Sequence, residues 1–181
     1  MGRIAAVAAL AAGVGYLAEA GHLRCGVWVL KSGSSLPGWV ALVYLFAFLA
    51  FGAVLEHLER RSERRLHVTT VALPLESLAF AVIVFSPALA FRHELSFAIL
   101  LAAYVVLRLR YIRARGDVLI AVLAASANFA LELALIAAGL YRYPVAAWLP
   151  VPLWLAPFWA GIGLSLRRAF AFAGTPKEQG P

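Results

Sequence analysis

The sequence predicts an all-α, polytopic membrane protein, a bundle of six transmembrane helices in one domain, and three observations carry that prediction. The 181-residue chain is 64% apolar and only 14% charged, against the roughly 45–50% apolar share of soluble domains. Its mean hydropathy is +0.87. The charges are clumped, so that Pro37–Leu55, Val118–Leu131 and Tyr143–Leu166 meet no charged side chain. A soluble helix of that length would show a polar stripe at every turn, whereas a helix crossing the hydrocarbon core needs about 20 apolar residues.

The first span is Ile4–Leu23. Met1-Gly2-Arg3 followed by Ile4–Ala18 has the outline of a signal peptide, but the apolar stretch is long and Ala20-Gly21-His22-Leu23-Arg24 is a poor cleavage region. It reads as a retained helix. Pro37–Leu58 and Val68–Phe91 follow, separated by the run Glu56–Arg65, whose alternating charges suit a cytoplasmic helix extension near anionic lipid. Leu95–Tyr111 reaches full length when Arg108 and Arg110 snorkel to the interface. Val118–Tyr141 and Trp148–Phe170 complete the set, the last rich in Trp and Pro. Residues 1–173 then form a single transmembrane domain, and 174–181 a loose polar tail.

Twelve of the sixteen Lys and Arg fall on one face if there are six spans: Arg3, the Arg60–Arg65 and Arg108–Arg115 clusters, and Arg167, Arg168 and Lys177. The positive-inside rule makes that face cytoplasmic and puts both termini there. The same placement accounts for the net charge of +7 and argues against nucleic acid, since no compact basic domain exists to grip phosphates. Cys25 is the single cysteine, and His22, His57, His67 and His93 form no i, i+4 pair. Neither a metal nor another cofactor is therefore expected.

Three of the nine acidic residues lie well inside spans, Glu19, Glu76 and Glu132, at separations of 57 and 56 residues. Nine residues after each comes an aromatic (Trp28, Phe85, Tyr141), and the first and third copies place Gly26 and Gly139 seven residues on. This spacing suggests three repeated helical hairpins. A carboxyl about 16–24 Å deep, by helical rise, is costly unless it faces a bundle interior, and desolvation favours its neutral form. The three are expected to share a cavity as proton-handling groups. Asn128 lies on the helix face of Glu132 within hydrogen-bonding reach, Tyr16 stands three before Glu19 with Phe129 in the matching place, and Pro74 is expected to free a backbone carbonyl beside Glu76. An apolar pocket with protonated acids and aromatic walls suits proton transfer to a carbon-rich substrate. The alternative is interhelical hydrogen bonding with no chemistry.

Glu19…Gly26-Val27-Trp28, and Leu73-Pro74-Leu75-Glu76 with Ala79-Phe80, resemble motifs of small integral-membrane carotenoid cyclases of the lycopene cyclase type. Asn128-Phe129-Ala130-Leu131-Glu132 is similar to an Asn-Phe-Ala-Trp-Glu pattern in membrane terpene cyclases, with Leu131 in place of the Trp. That resemblance implies proton-initiated closure of an isoprenoid. The residue pattern itself offers Glu76, Glu132, Glu19 and Asn128 as the candidate catalytic groups, with Tyr16, Trp28, Phe80, Phe129 and Tyr141 around the substrate. In that family a doubled acid stands where this chain has Glu76-Ser77. Gly139-Leu140-Tyr141-Arg142-Tyr143, Trp148-Leu149-Pro150 and the glycine-bearing span ending at Arg167 resemble the C-terminal half of Insig proteins, six-helix sterol-response scaffolds with cytoplasmic termini. That second resemblance implies a lipid-binding regulator without catalysis.

The leading expectation is thus a membrane-embedded isoprenoid- or lipid-binding protein with cyclase- or hydratase-like acid–base chemistry. The alternatives are an Insig-like scaffold and a small-solute transporter subunit. Membrane lipid or isoprenoid is the expected ligand, and a membrane protein or a second copy of the chain the expected partner. In a Cys25→Ser background, a cysteine placed at Ser62 or Ala114 should resist impermeant labelling from outside the cell and one at Ser34 should react. Efficient outside labelling at Ser62 would reverse the topology.

Overall fold

A computed structural model describes residues 2–31, 35–60, 72–112, 114, 116–146 and 149–174. Six helices and two short strands run in the order α1 (Gly2–Cys25), β1 (Val29–Leu30), α2 (Trp39–Arg60), α3 (Ala72–Ala90), α4 (Glu94–Tyr111), α5 (Asp117–Ala137), β2 (Tyr141–Arg142) and α6 (Leu155–Gly174). The cluster residues Arg61, Arg64, Arg65, Arg113 and Arg115, along with Ser34, Ser62, His67, Trp148 and the tail 175–181, lie outside the described residues.

The protein is a polytopic bundle of six helices that turns its apolar residues outward. Leu10, Phe46 and Leu89 are 71%, 67% and 89% exposed, a surface that only a lipid environment accommodates without large cost. Helices α1, α2 and α5 are by themselves long and apolar enough to cross a membrane. In α3, α4 and α6 the spans carry charges, of which Glu76, Arg108, Arg167 and Arg168 are turned inward. Pro87 inside α3 withholds the N–H that would bond Ile83 O, and the Ser86 hydroxyl donates to that carbonyl instead at 2.7 Å.

Helix α6 is the axis of the bundle, packing against each of the other five helices. Small residues permit this. A Cβ added at Gly163 would lie 2.6 Å from the Ala124 Cβ on α5, and one at Gly161 would press on Ile83 and Tyr104, of α3 and α4. Close backbone approach of this kind replaces hydrophobic burial as the source of helix association in lipid. By contrast, α1 and α5 do not pack along their lengths. They are joined at one end by β1 and β2, which pair antiparallel as Val29↔Arg142 and Leu30↔Tyr141.

The ends of α5 and α6 differ from the predicted spans. Helix α5 stops at Ala137, short of the expected Tyr141, because Gly139 at φ +71° closes it and the chain then enters β2. Helix α6 starts at Leu155 rather than Trp148, since Pro150 and Pro152 have no N–H to give a helix. Pro74 also departs from expectation. It lies in the first turn of α3, where an N–H has no helical partner in any case, and so interrupts nothing there.

Two of the three sequence repeats are realised as the same structure. After α1, Gly26 N donates to Leu23 O and Val27 N to His22 O. After α5, Gly139 N donates to Ile136 O and Leu140 N to Leu135 O. Both are the double-bonded glycine stop that ends many helices, with Gly26 at φ +75° matching Gly139. The remaining copy does not follow, for Phe85 stays within α3 and no such turn succeeds it.

Gly163→Ala should lower stability by about 1–3 kcal/mol through overpacking against Ala124, read as a fall in the midpoint of thermal unfolding in detergent. Gly13→Ala, whose added Cβ meets nothing within 4 Å, should be neutral or slightly stabilising. Equal effects at the two sites would remove the close α5–α6 approach as the cause.

Candidate functional site

Buried polar side chains gather at two places, one at each end of the bundle. At the strand-bearing end, the repeat brings two carboxyls to one cavity. Glu19 on α1 accepts from Trp28 Nε1 and from Tyr44 Oη of α2, both at 2.8 Å. Glu132 on α5 accepts from Tyr141 and, at 3.1 Å, from Tyr143. The two nine-residue spacings read from the sequence are thus two hydrogen bonds, each from the aromatic in the strand segment back to the carboxyl on the preceding helix. The Trp28 and Tyr141 rings meet with centroids 5.3 Å apart, and aromatic contacts continue through Tyr143, Trp154, Phe158 and Trp159. Burial, and next to it the Glu132 carboxyl, push the Tyr143 phenol well above its ordinary value, so it serves as a hydrogen-bond donor.

His22 also borders this end. Its Nε2 lies 2.9 Å from Val84 O, and a carbonyl can only accept, so Nε2 is the donor. Its Nδ1 lies 3.5 Å from Glu19 Oε2.

Glu76 does not join this cavity. It sits little more than one turn into α3, at the opposite end of the bundle, bonded to Arg108 of α4 and 3.4 Å from Arg168 Nε of α6. It is an ion-pair partner, not the isolated neutral acid expected. The same network contains Asp117, 1% exposed at the start of α5, which accepts from Arg167 at 2.6 Å and Arg168 at 3.2 Å and caps its own turn through Ala114 N at 2.7 Å. Arg108 also reaches Ser165 at 3.5 Å. Five charged groups from α3, α4, α5 and α6 therefore close one end of the bundle. Sequence reasoning placed Asp117 just outside a span and the arginines at the interface, because their partners lie 32 to 92 residues away.

The remaining predicted site residues scatter. Asn128 donates to Ala124 O at 2.9 Å, one turn back along its own helix, and so does not bond Glu132. Tyr16 donates to Leu36 O at 3.3 Å, tying the connection before α2 to α1. Phe80 and Phe129 are half-buried against the apolar core. Glu94 accepts from Leu153 N at 2.7 Å and anchors the connection before α6. Among the described residues no group of three His, Cys, Asp or Glu is arranged to hold a metal.

No family model matches the sequence, and no curated protein matches it. Solved structures do match. The crystal structure of MvINS, a mycobacterial Insig homolog from Mycobacterium vanbaalenii, has a TM-score of 0.81 at 21% identity, covering 96% of each chain. A cross-linked trimer of MvINS has a TM-score of 0.76 at 21% identity with the same coverage. The likeness establishes the fold and bears out the resemblance to Insig proteins. The cyclase resemblance finds no counterpart in it.

Asp117→Ala removes the buried carboxylate that Arg167 and Arg168 both bond, a change that costs about 3–5 kcal/mol where one partner of a buried pair is removed. The unfolding midpoint in detergent should drop accordingly, and Arg92→Ala on the exposed surface should shift it little. Equal midpoints for the two variants would show the network to be dispensable.

Proposed function

We propose that this chain is a lipid-binding membrane scaffold of the Insig kind, without catalytic activity of its own, working as a homo-oligomer with both termini in the cytoplasm. The observation that carries this reading is the six-helix architecture shared with MvINS over 96% of the chain. The cytoplasmic orientation rests on the charge asymmetry, and the oligomer on the trimer in which MvINS was cross-linked.

The state of the carboxyls supports binding over chemistry. Glu19 and Glu132 are engaged by protein donors on both repeats, and Glu76 is held in an ion pair, so none is a free acid poised over a substrate. The cavity beside Glu19 and Glu132 has a volume of about 10 Å³, room for about one water molecule and far below the roughly 300–1,000 Å³ typical of ligand pockets. The lipid would lie lower, between α1 and α5, which are joined at their strand-bearing ends but do not pack along their lengths, with α6 as the floor.

The test is mass spectrometry of apolar molecules retained through purification in mild detergent. A single lipid class at near-stoichiometric amount, unaltered and also retained by Glu132→Gln, is expected. The amide keeps the shape of the acid without its transferable proton, so an acid–base catalyst would lose turnover on that change. Purification free of lipid, or conversion of an added isoprenoid that Glu132→Gln abolishes, would overturn the scaffold reading.

A further inference from the structure

Two buried indoles stand without partners. Trp154 and Trp159 are 2% and 8% exposed, and neither Nε1–H meets an acceptor among the described residues. Leaving a buried donor unpaired costs about 1–3 kcal/mol, and a buried Trp N–H ordinarily finds a partner. Both rings border the cavity that Glu19, His22, Glu132 and Tyr143 also line. In that cavity, Glu132 has an oxygen to spare. Tyr141 and Tyr143 both donate to its Oε2, and no described donor reaches Oε1.

We propose that this cavity is a binding site for one ordered water molecule, which accepts from the orphaned indole N–H groups and donates to Glu132 Oε1. A water offers two lone pairs and two hydrogens, the complement of two unpaired donors and a carboxyl oxygen, with one hydrogen left for the Glu19 side. Size selects water over the hydroxyl of a lipid. The space takes about one water molecule, the least that allows occupancy, and leaves none for a carbon skeleton attached to the same oxygen. The water would link α5 to both the start of α6 and the connection before it.

The test is an NMR measurement of water contacts at the indole protons, on protein carrying ¹⁵N-labelled tryptophan in lipid nanodiscs. Trp154→Phe and Trp159→Phe assign the two resonances. Cross-peaks from both indole protons to a slowly exchanging water are expected in the native protein. They should persist in Glu132→Gln, which keeps an acceptor oxygen, and weaken in Glu132→Leu. Cross-peaks to lipid protons in place of water would overturn the proposal in favour of a lipid hydroxyl. Silence at both indoles in the native protein would mean a dry cavity and end it, whether or not the Glu132→Leu variant folds.

Discussion

Inside a bilayer a charged or hydrogen-bonding side chain has no water to return to, so each one must be answered by another part of the protein. That requirement organises this fold. Here many large apolar residues face lipid, an apolar core still packs inside, and the polar side chains converge. They do so at the two ends of α6, in an ion network of Glu76, Arg108, Asp117, Arg167 and Arg168 and in a carboxyl–phenol–indole cluster around Glu19 and Glu132. Between them α6 contributes glycine and alanine, and close packing takes over from charge.

The two ends solve the problem differently. The Arg–acid end has three guanidinium groups for two carboxylates, and these hold four helices in one arrangement. A network of this sort is worth more as a constraint on which helices meet than as a source of net stability, because desolvating five charges offsets much of their attraction. The strand-bearing end relies on neutral or near-neutral donors. Tyr44, Tyr141, Tyr143 and Trp28 give their hydrogens to two carboxyls, and His22 lies 3.5 Å from one of them. This end keeps polar capacity in reserve, as its unpaired indoles show.

Much of the architecture was readable before any coordinates, for local reasons. An apolar run of twenty residues announces a span wherever it occurs, and the matched spacings at Glu19 and Glu132 pointed to a real structural repeat. What escaped reading was non-local. Glu76 resembled the other two carboxyls in depth and spacing, but its role was decided by Arg108 and Arg168 on distant helices. Asn128 sat on the correct face for Glu132 and lost it to a carbonyl of its own helix, a competition that spacing cannot arbitrate. The span ends at Tyr141 and Trp148 were overrun because apolar composition continues through Gly139 and Pro150, where backbone geometry stops the helix.

The paired strands have the register of a two-fold axis. Glu19 and Glu132, Gly26 and Gly139, Trp28 and Tyr141 are each 113 residues apart, and Val29 pairs with Arg142, which is also 113 residues on. A strand that pairs with its own counterpart at the equivalent position is what two copies of one hairpin make across a two-fold axis. A single hairpin of this design, α1 through α2, would leave one strand edge open and one carboxyl on the axis, and a second copy would close both at once. The present chain carries two such hairpins in one polypeptide, with α3 and α4 between them. The two are not identical, for His22 corresponds to Leu135 and Leu30 to Tyr143. Two carboxyls at matching positions have different partners.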